Sequence, residues 1–274
     1  MIRELARQLP GDTAGFDAQI LLAHITGHNR AWLLGHPEAT LTDEQANKLA
    51  TSIHKLQNGV PLPYILGHWE FFGLDFLITP AVLIPRPETE LLVETALGYV
   101  RSHPQSEYRI LDIGTGSGII PISLAIHIPK ARLTATDISA SALEIARLNA
   151  ERHNISERIG FIETDLLPDN LQSRIFDIIC ANLPYIPSET LKDLDIYGKE
   201  PTLALDGGVD GMDLIRRLML RLARDNPMDT LILLEFEERQ GPALSSQARE
   251  TFPKANIRIQ RDLAGYDRLL VINT

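Results

Sequence analysis

The chain has one cysteine, Cys180, among its 274 residues. A lone thiol excludes an internal disulfide and suits a reducing compartment, so a cytoplasmic protein is expected. Cys180 lies in the apolar run Phe176–Ala181 and is expected to pack in the core and not to act as a nucleophile. Apolar runs are short throughout: none reaches membrane-spanning length, and the opening MIRELARQLPGD lacks the apolar centre of a signal peptide. No membrane association is therefore expected. Positive charge is also scarce. Lys and Arg number 26 against 36 Asp and Glu, and the net charge of −10 argues against a broad, non-specific grip on nucleic acid. His24, His28, His36 and His54 lack metal-ligand spacing, read as surface or capping residues, and no metal is expected. Repeats and low-complexity tracts are missing. With 44% hydrophobic and 23% charged residues, the chain can form one large globular domain and a small one.

Residues 1–60 read as a small helical domain. Phe16–Ile25 carries apolar residues at three-to-four spacing and is closed by Gly27, Arg30–Leu34 is a shorter helix, and Thr42-Asp43-Glu44-Gln45 is a capping box opening a third. A bundle this small is marginal alone and is expected to recognise a large partner. Residues 61–86 read as a linker that carries a β-hairpin, its aromatic-rich strands Trp69–Ile78 turning at Gly73. Arg86, braced between Pro85 and Pro87, reads as a positioned site residue, and Pro87 suits the start of a helix.

Residues 87–274 alternate strand and helix. Tyr108–Ile113 runs into Gly114-Thr115-Gly116-Ser117-Gly118 and then a helix, with Asp137 ending a second strand about twenty residues on. Glycines there let the backbone approach a ligand and expose amides at a helix N-terminus, and the acid can take both ribose hydroxyls. The spacing indicates a nucleoside-bearing cofactor without choosing between a dinucleotide and S-adenosylmethionine. Asp165, after the third strand, either reaches an adenine amino group or caps the short helix after it. The fourth strand ends in Asn182-Leu183-Pro184-Tyr185, where an amide, a rigid turn and an aromatic ring can hold a planar amide or amino group. The last two strands, Ile257–Ile259 and Arg268–Ile272, have no helix between them and must run antiparallel. The expected fold is α/β: a Rossmann-like seven-stranded methyltransferase sheet with one antiparallel strand, preceded by the helical domain and the hairpin linker.

Pro85-Arg86-Pro87-Glu88-Thr89-Glu90, Asp112–Gly118, Asn182–Tyr185 and Asp262–Arg268, in this order and spacing, resemble the motifs of the release factor glutamine methyltransferases, the PrmC/HemK family. The resemblance runs essentially end to end. It implies a class I enzyme that uses S-adenosyl-L-methionine, leaves S-adenosyl-L-homocysteine, and methylates the side-chain nitrogen (N5) of a glutamine. That glutamine belongs to the Gly-Gly-Gln motif of class 1 peptide chain release factors, the partners in translation termination. The resemblance implies that the cofactor meets Asp112, Gly114, Thr115, Gly116, Ser117, Gly118, Asp137, Ile138, Asp165, Leu166 and Asn182. It puts catalysis and the substrate amide on Asn182, Leu183, Pro184 and Tyr185, with Arg86 in the substrate site. A monomer with no stable nucleic-acid binding is expected.

Two departures stand out. The family usually has proline where this chain has Leu183; the family uses that position's backbone carbonyl, which leucine retains. Asn-Leu-Pro-Tyr also resembles ribosomal RNA adenine dimethylases, so an N6-adenine methyltransferase acting on rRNA or DNA is the alternative. Acidic Glu237 and Glu238 replace a glycine-containing segment after the fifth-strand Glu235. A nucleotide-binding protein without catalysis is a third possibility, which intact Asn182, Pro184 and Tyr185 disfavour.

Overall fold

In the computed structural model, which describes residues 1–168, 176–225 and 229–274, the chain divides into two units, Met1–His68 and Trp69–Thr274. The first contains α1 (Ile2–Ala6), α2 (Ala14–Thr26), α3 (Arg30–Gly35), α4 (Asp43–Gln57) and α5 (Leu62–Leu66). α2 stops at Gly27, which takes the left-handed conformation, and Thr42 and Gln45 exchange both bonds of a capping box at the start of α4. Ala18, Leu21 and Leu22 of α2 are fully buried in this unit. His28 and His36 stack on either side of Trp32, with ring centroids 3.7 and 4.3 Å away.

The helical unit continues past residue 60, where the linker was expected to begin. Proline is compatible with a first helical turn, so Pro61-Leu62-Pro63 starts α5, burying Leu62, Pro63 and Leu66 before Gly67 ends it. The next stretch is the expected hairpin, β1 (His68–Phe71) and β2 (Leu74–Leu77). Phe72 and Gly73 both have positive φ, 54° and 71°, as a tight turn matching strand twist requires. Phe72 accepts this strained conformation while its N–H donates to Glu90 Oε1 at 2.9 Å. Pro87–Thr89 forms one 3-10 turn leading into α6 (Glu90–Ser102).

The sheet follows as β3 (Tyr108–Ile113), β4 (Ala131–Asp137), β5 (Ile159–Glu163), β6 (Ile178–Ala181), β7 (Leu231–Glu235), β8 (Asn256–Arg261) and β9 (Asp267–Asn273). Between them lie α7 (Ile119–His127), α8 (Ala140–Arg152), α9 (Ser188–Lys192), α10 (Asp213–Asp225) and α11 (Gly241–Thr251). The strand order is β5-β4-β3-β6-β7-β9-β8, and β9 alone runs antiparallel, inserted between β7 and β8. All four residues of β6, Cys180 included, and all five of β7 are buried, as strands covered on both faces must be. Burial pushes the Cys180 thiol well above its ordinary pKa, which keeps it inert. Asn149 of α8 is fully buried and satisfied three times, accepting from Leu77 N–H and donating to the Leu77 and Ser117 carbonyls. It ties the hairpin to the glycine-rich turn with bonds that each contribute about 1 kcal/mol. Among the described residues, no helix is long and apolar enough to cross a membrane.

Candidate active site

β3 leads to β4 and β5 on one side of the sheet, and β6 leads to β7 on the other, so the order reverses between neighbours. Such a switch point opens a crevice at the strands' carboxyl ends. Ile113 is paired with Ala181, so the turn after β3 and the Asn182–Tyr185 segment after β6 emerge side by side. Gly114 has φ 72°, and a Cβ placed on it would lie 2.9 Å from Leu183 Cδ2. Leu183 itself is 4% exposed, so its branched side chain packs onto the glycine turn.

A cavity of about 680 Å³ opens there, lined by Gly114, Gly116, Asp137, Ile138, Asp165, Leu166, Asn182, Leu183 and Pro184. Asp137 accepts from the Gly116 N–H at 2.8 Å and the Ser139 N–H at 2.9 Å. Burial raises its pKa, and those amides oppose the rise. The Asp165 carboxylate is engaged by Arg217 of α10, also on the wall, a pairing the sequence did not indicate. Asp112, Thr115 and Ser117 are buried residues behind the wall, while Gly118 packs against Ile122 and Ala146. Among the described residues, neither Asp112 oxygen nor the Thr115 hydroxyl has a hydrogen-bond partner. Burial pushes the Asp112 carboxyl up to about 7, the nearby Thr115 hydroxyl opposing and the Asp137 charge adding. An unpartnered buried acid under a glycine cradle fits a cationic, nucleoside-bearing ligand.

A second cavity of about 280 Å³ shares Leu83, Asn182, Leu183 and Pro184 with the first. Ala204, also shared, and Arg86, Glu88, Tyr185, Ile186, Ile196, Leu205 and Arg268 complete its wall. Asn182 donates from Nδ2 to the Thr89 hydroxyl at 2.9 Å, which leaves its carbonyl oxygen to accept. The Tyr185 hydroxyl donates to Glu235 Oε1 at 3.5 Å. Burial and the Glu235 charge push the Tyr185 hydroxyl above its ordinary pKa. Burial likewise pushes the Glu235 carboxyl up to about 7, against the Thr89 hydroxyl and Arg268. Arg86 is on the wall, but its guanidinium donates to buried Glu200 at 2.5 Å, and Glu200 also accepts the Ile84 N–H. The Tyr185 carbonyl accepts from Gln240 Nε2 at 2.8 Å.

Residues 1–67 match the PrmC N-terminal domain family and residues 88–195 the methyltransferase small domain family. The chain is 40% identical to the release factor glutamine methyltransferase of Moorella thermoacetica, over 92% of its length and 88% of the relative's. It is 34% identical to that of Bacillus anthracis, covering 92% of this chain and 90% of the relative. The chain belongs to the release factor glutamine methyltransferase family. A ribosomal protein L11 methylase from Lactobacillus delbrueckii subsp. bulgaricus shares the fold, with TM-score 0.51 and 21% identity over 72% of this chain and 84% of that one. Membership makes the chain an S-adenosylmethionine-dependent methyltransferase.

Several residues that line the cavities or bond to their lining are not singled out by the sequence: Thr89, Glu200, Glu235, Gln240 and Arg268. Thr89 and Arg268 lie within quoted motifs, but Thr89 sits where helix-start signals dominate. Glu235 had a usable signal, an acid closing a run of four buried apolar residues. Glu237, the first of the two acids that follow Phe236, also has a physical account. Glu237 accepts the Arg239 N–H and caps the 3-10 turn Glu238–Gln240, while Gln240 accepts the Glu237 N–H in return. That capping box aims Gln240 at the Tyr185 carbonyl.

Proposed function

We propose that this chain transfers a methyl group from S-adenosylmethionine to the side-chain amide nitrogen of the Gly-Gly-Gln glutamine in class 1 peptide chain release factors. The observation that carries this reading is the pair of cavities meeting at Asn182–Pro184. The larger suits the cofactor, with Gly114 and Gly116 against it, Asp137 for the ribose hydroxyls, Asp165 and Ile138 toward the adenine, and Asp112 beneath. The smaller suits a glutamine side chain.

The bound sulfonium cofactor supplies an activated methyl group and a neutral leaving group. An amide nitrogen is a poor nucleophile because its lone pair is delocalised into the carbonyl. The Asn182 carbonyl oxygen and the Leu183 backbone carbonyl would accept its two N–H groups, orient the nitrogen and stabilise the positive charge that grows on it. Tyr185 would pack against the flat amide and exclude water. As the new C–N bond forms, the nitrogen gives up a proton; an N-protonated amide is a strong acid, so no strong base of the chain is needed. Positioning alone can account for on the order of 7 kcal/mol of such a barrier.

The reading includes a monomer in the cytoplasm that acts on protein without stable nucleic-acid binding, and a helical unit that recognises the release factor. Incubation with methyl-labelled cofactor and either a release factor or ribosomal RNA tests it. Label on the Gly-Gly-Gln glutamine, located by peptide mass, is expected; label on adenine and none on the release factor would overturn it.

A further inference from the structure

An asparagine amide has one accepting and one donating end of nearly the same shape, so whatever grips one end decides what the other offers. In this chain Asn182 gives its Nδ2 to the Thr89 hydroxyl, a fully buried group 93 residues earlier. Glu235 is 1% exposed, the Tyr185 hydroxyl is 3.5 Å from its Oε1, the Thr89 hydroxyl is near enough to stabilise its charge, and among the described residues Oε2 has no hydrogen-bond partner. Above about pH 7 the Glu235 carboxylate is ionised and can only accept. A hydroxyl whose single proton is turned toward that carboxylate can only accept on its other side. Asn182 must then present N–H to it, and its carbonyl oxygen is left for the cavity.

We propose, on the reading that Asn182 receives the substrate amide, that Thr89 is a positioning residue whose hydroxyl, oriented by Glu235, sets the rotation of the Asn182 amide. The carbonyl oxygen thereby faces the acceptor nitrogen. Rotated by half a turn, Asn182 would set two donors against the two donors of the substrate amide, and the nitrogen would lose one of its holding contacts. Glu235 thereby bears on both side chains, on Tyr185 directly and on Asn182 through Thr89. The hydroxyl, more than the bulk of Thr89, is what the site uses.

Two near-isosteric changes separate hydroxyl from packing. Thr89→Val keeps the shape and removes the hydroxyl; Thr89→Ser keeps the hydroxyl and removes a methyl. In the full-length protein, with labelled cofactor and a release factor, Thr89→Val is expected to lower kcat at least about tenfold, the low end for a lost preorganised contact. KM for the release factor and cofactor affinity by calorimetry should stay within about threefold, because the hydroxyl touches neither ligand. Thr89→Ser should recover kcat to within about threefold of the parent. Glu235→Gln, whose amide can donate to Thr89 and so reverse the sequence of donors, should lower kcat as Thr89→Val does. A Thr89→Val enzyme within about twofold of the parent kcat, or equal impairment of the Ser and Val variants, would overturn the proposal.

A readout independent of turnover is the exchange of the Asn182 side-chain amide protons, assigned by their disappearance in Asn182→Ala. Slow exchange in the parent and Thr89→Ser with fast exchange in Thr89→Val is expected, and equal protection in all three would overturn the proposal. If the parent protein methylates no release factor, the functional reading fails, while the exchange measurement still decides the role of Thr89.

Discussion

Asn182 and Leu183 are adjacent but are expected to fail differently when changed. Asn182→Ala removes the accepting carbonyl and should lower turnover by at least about two orders of magnitude, with cofactor affinity falling less. Leu183→Pro keeps the backbone carbonyl and should hold turnover within about tenfold. Its cost should appear in stability instead, because the leucine branch is buried against Gly114; a loss of about 1–2 kcal/mol in urea unfolding is expected. Steady-state kinetics with a release factor, beside denaturation curves, checks both; an Asn182→Ala enzyme with near-normal turnover would show that the amide is held elsewhere. Asp137→Ala should weaken S-adenosylmethionine binding at least about tenfold by calorimetry, since it frees the Gly116 and Ser139 amides it now holds and, on the proposed reading, removes the ribose acceptor. Binding of a nicotinamide dinucleotide in preference would contradict the cofactor assignment.

At the scale of elements, the site depends on turns pressed closely together. Gly211 has φ 77°, and a Cβ there would lie 2.1 Å from the Tyr185 carbonyl oxygen and 2.6 Å from Gln240 Nε2. Gly211→Ala must therefore push the turn before α10 away from Tyr185 and break the Gln240 clamp. A stability loss of about 2–4 kcal/mol is expected, from strain plus a lost buried hydrogen bond, with turnover falling further than cofactor affinity. Thermal unfolding and calorimetry together check this, and an unperturbed melting temperature would show that the turn yields freely. Arg86 and Glu200 link two other segments in the same way. Because Glu200 also accepts the Ile84 N–H, the pair holds the Leu83–Arg86 stretch in place on the acceptor wall.

For the whole molecule, two buried acids contribute to the pH dependence of stability. Asp112 and Glu235 both titrate near 7 when folded, against ordinary values of 3.8 and 4.5. The folded state thus holds those protons more tightly than the unfolded chain. This contribution is fully present below about pH 4 and is lost as pH rises through about 7. Asp112→Asn should flatten that part of the slope and raise stability at pH 8 by on the order of 3 kcal/mol without cofactor, read from urea midpoints at pH 5 and 8. An unchanged slope would show that Asp112 is neutralised by another route. The division after His68 makes a different prediction. Removal of residues 1–67 should spare cofactor binding and impair methylation of intact release factor; full-rate methylation by the truncated chain would exclude the recognition role.

Local signals settle much of this protein. The capping box at Thr42, the glycine turn after β3, the acid ending β4, the Asn182–Tyr185 segment and the helix-free final pair of strands all depend on neighbours a few residues apart. Periodicity and turn chemistry act at that range. Tertiary structure decided what local range cannot carry. It inserted β9 between β7 and β8, continued the helical unit through a proline pair to α5, and engaged Arg86 with Glu200, 114 residues away. It also brought Thr89, Asn182 and Glu235 together at the crossing of the sheet. Thr89 reads locally as the start of a helix and Glu235 as the end of a strand. Their joint role exists only because buried polar groups must find partners, and the partners available there come from distant parts of the chain.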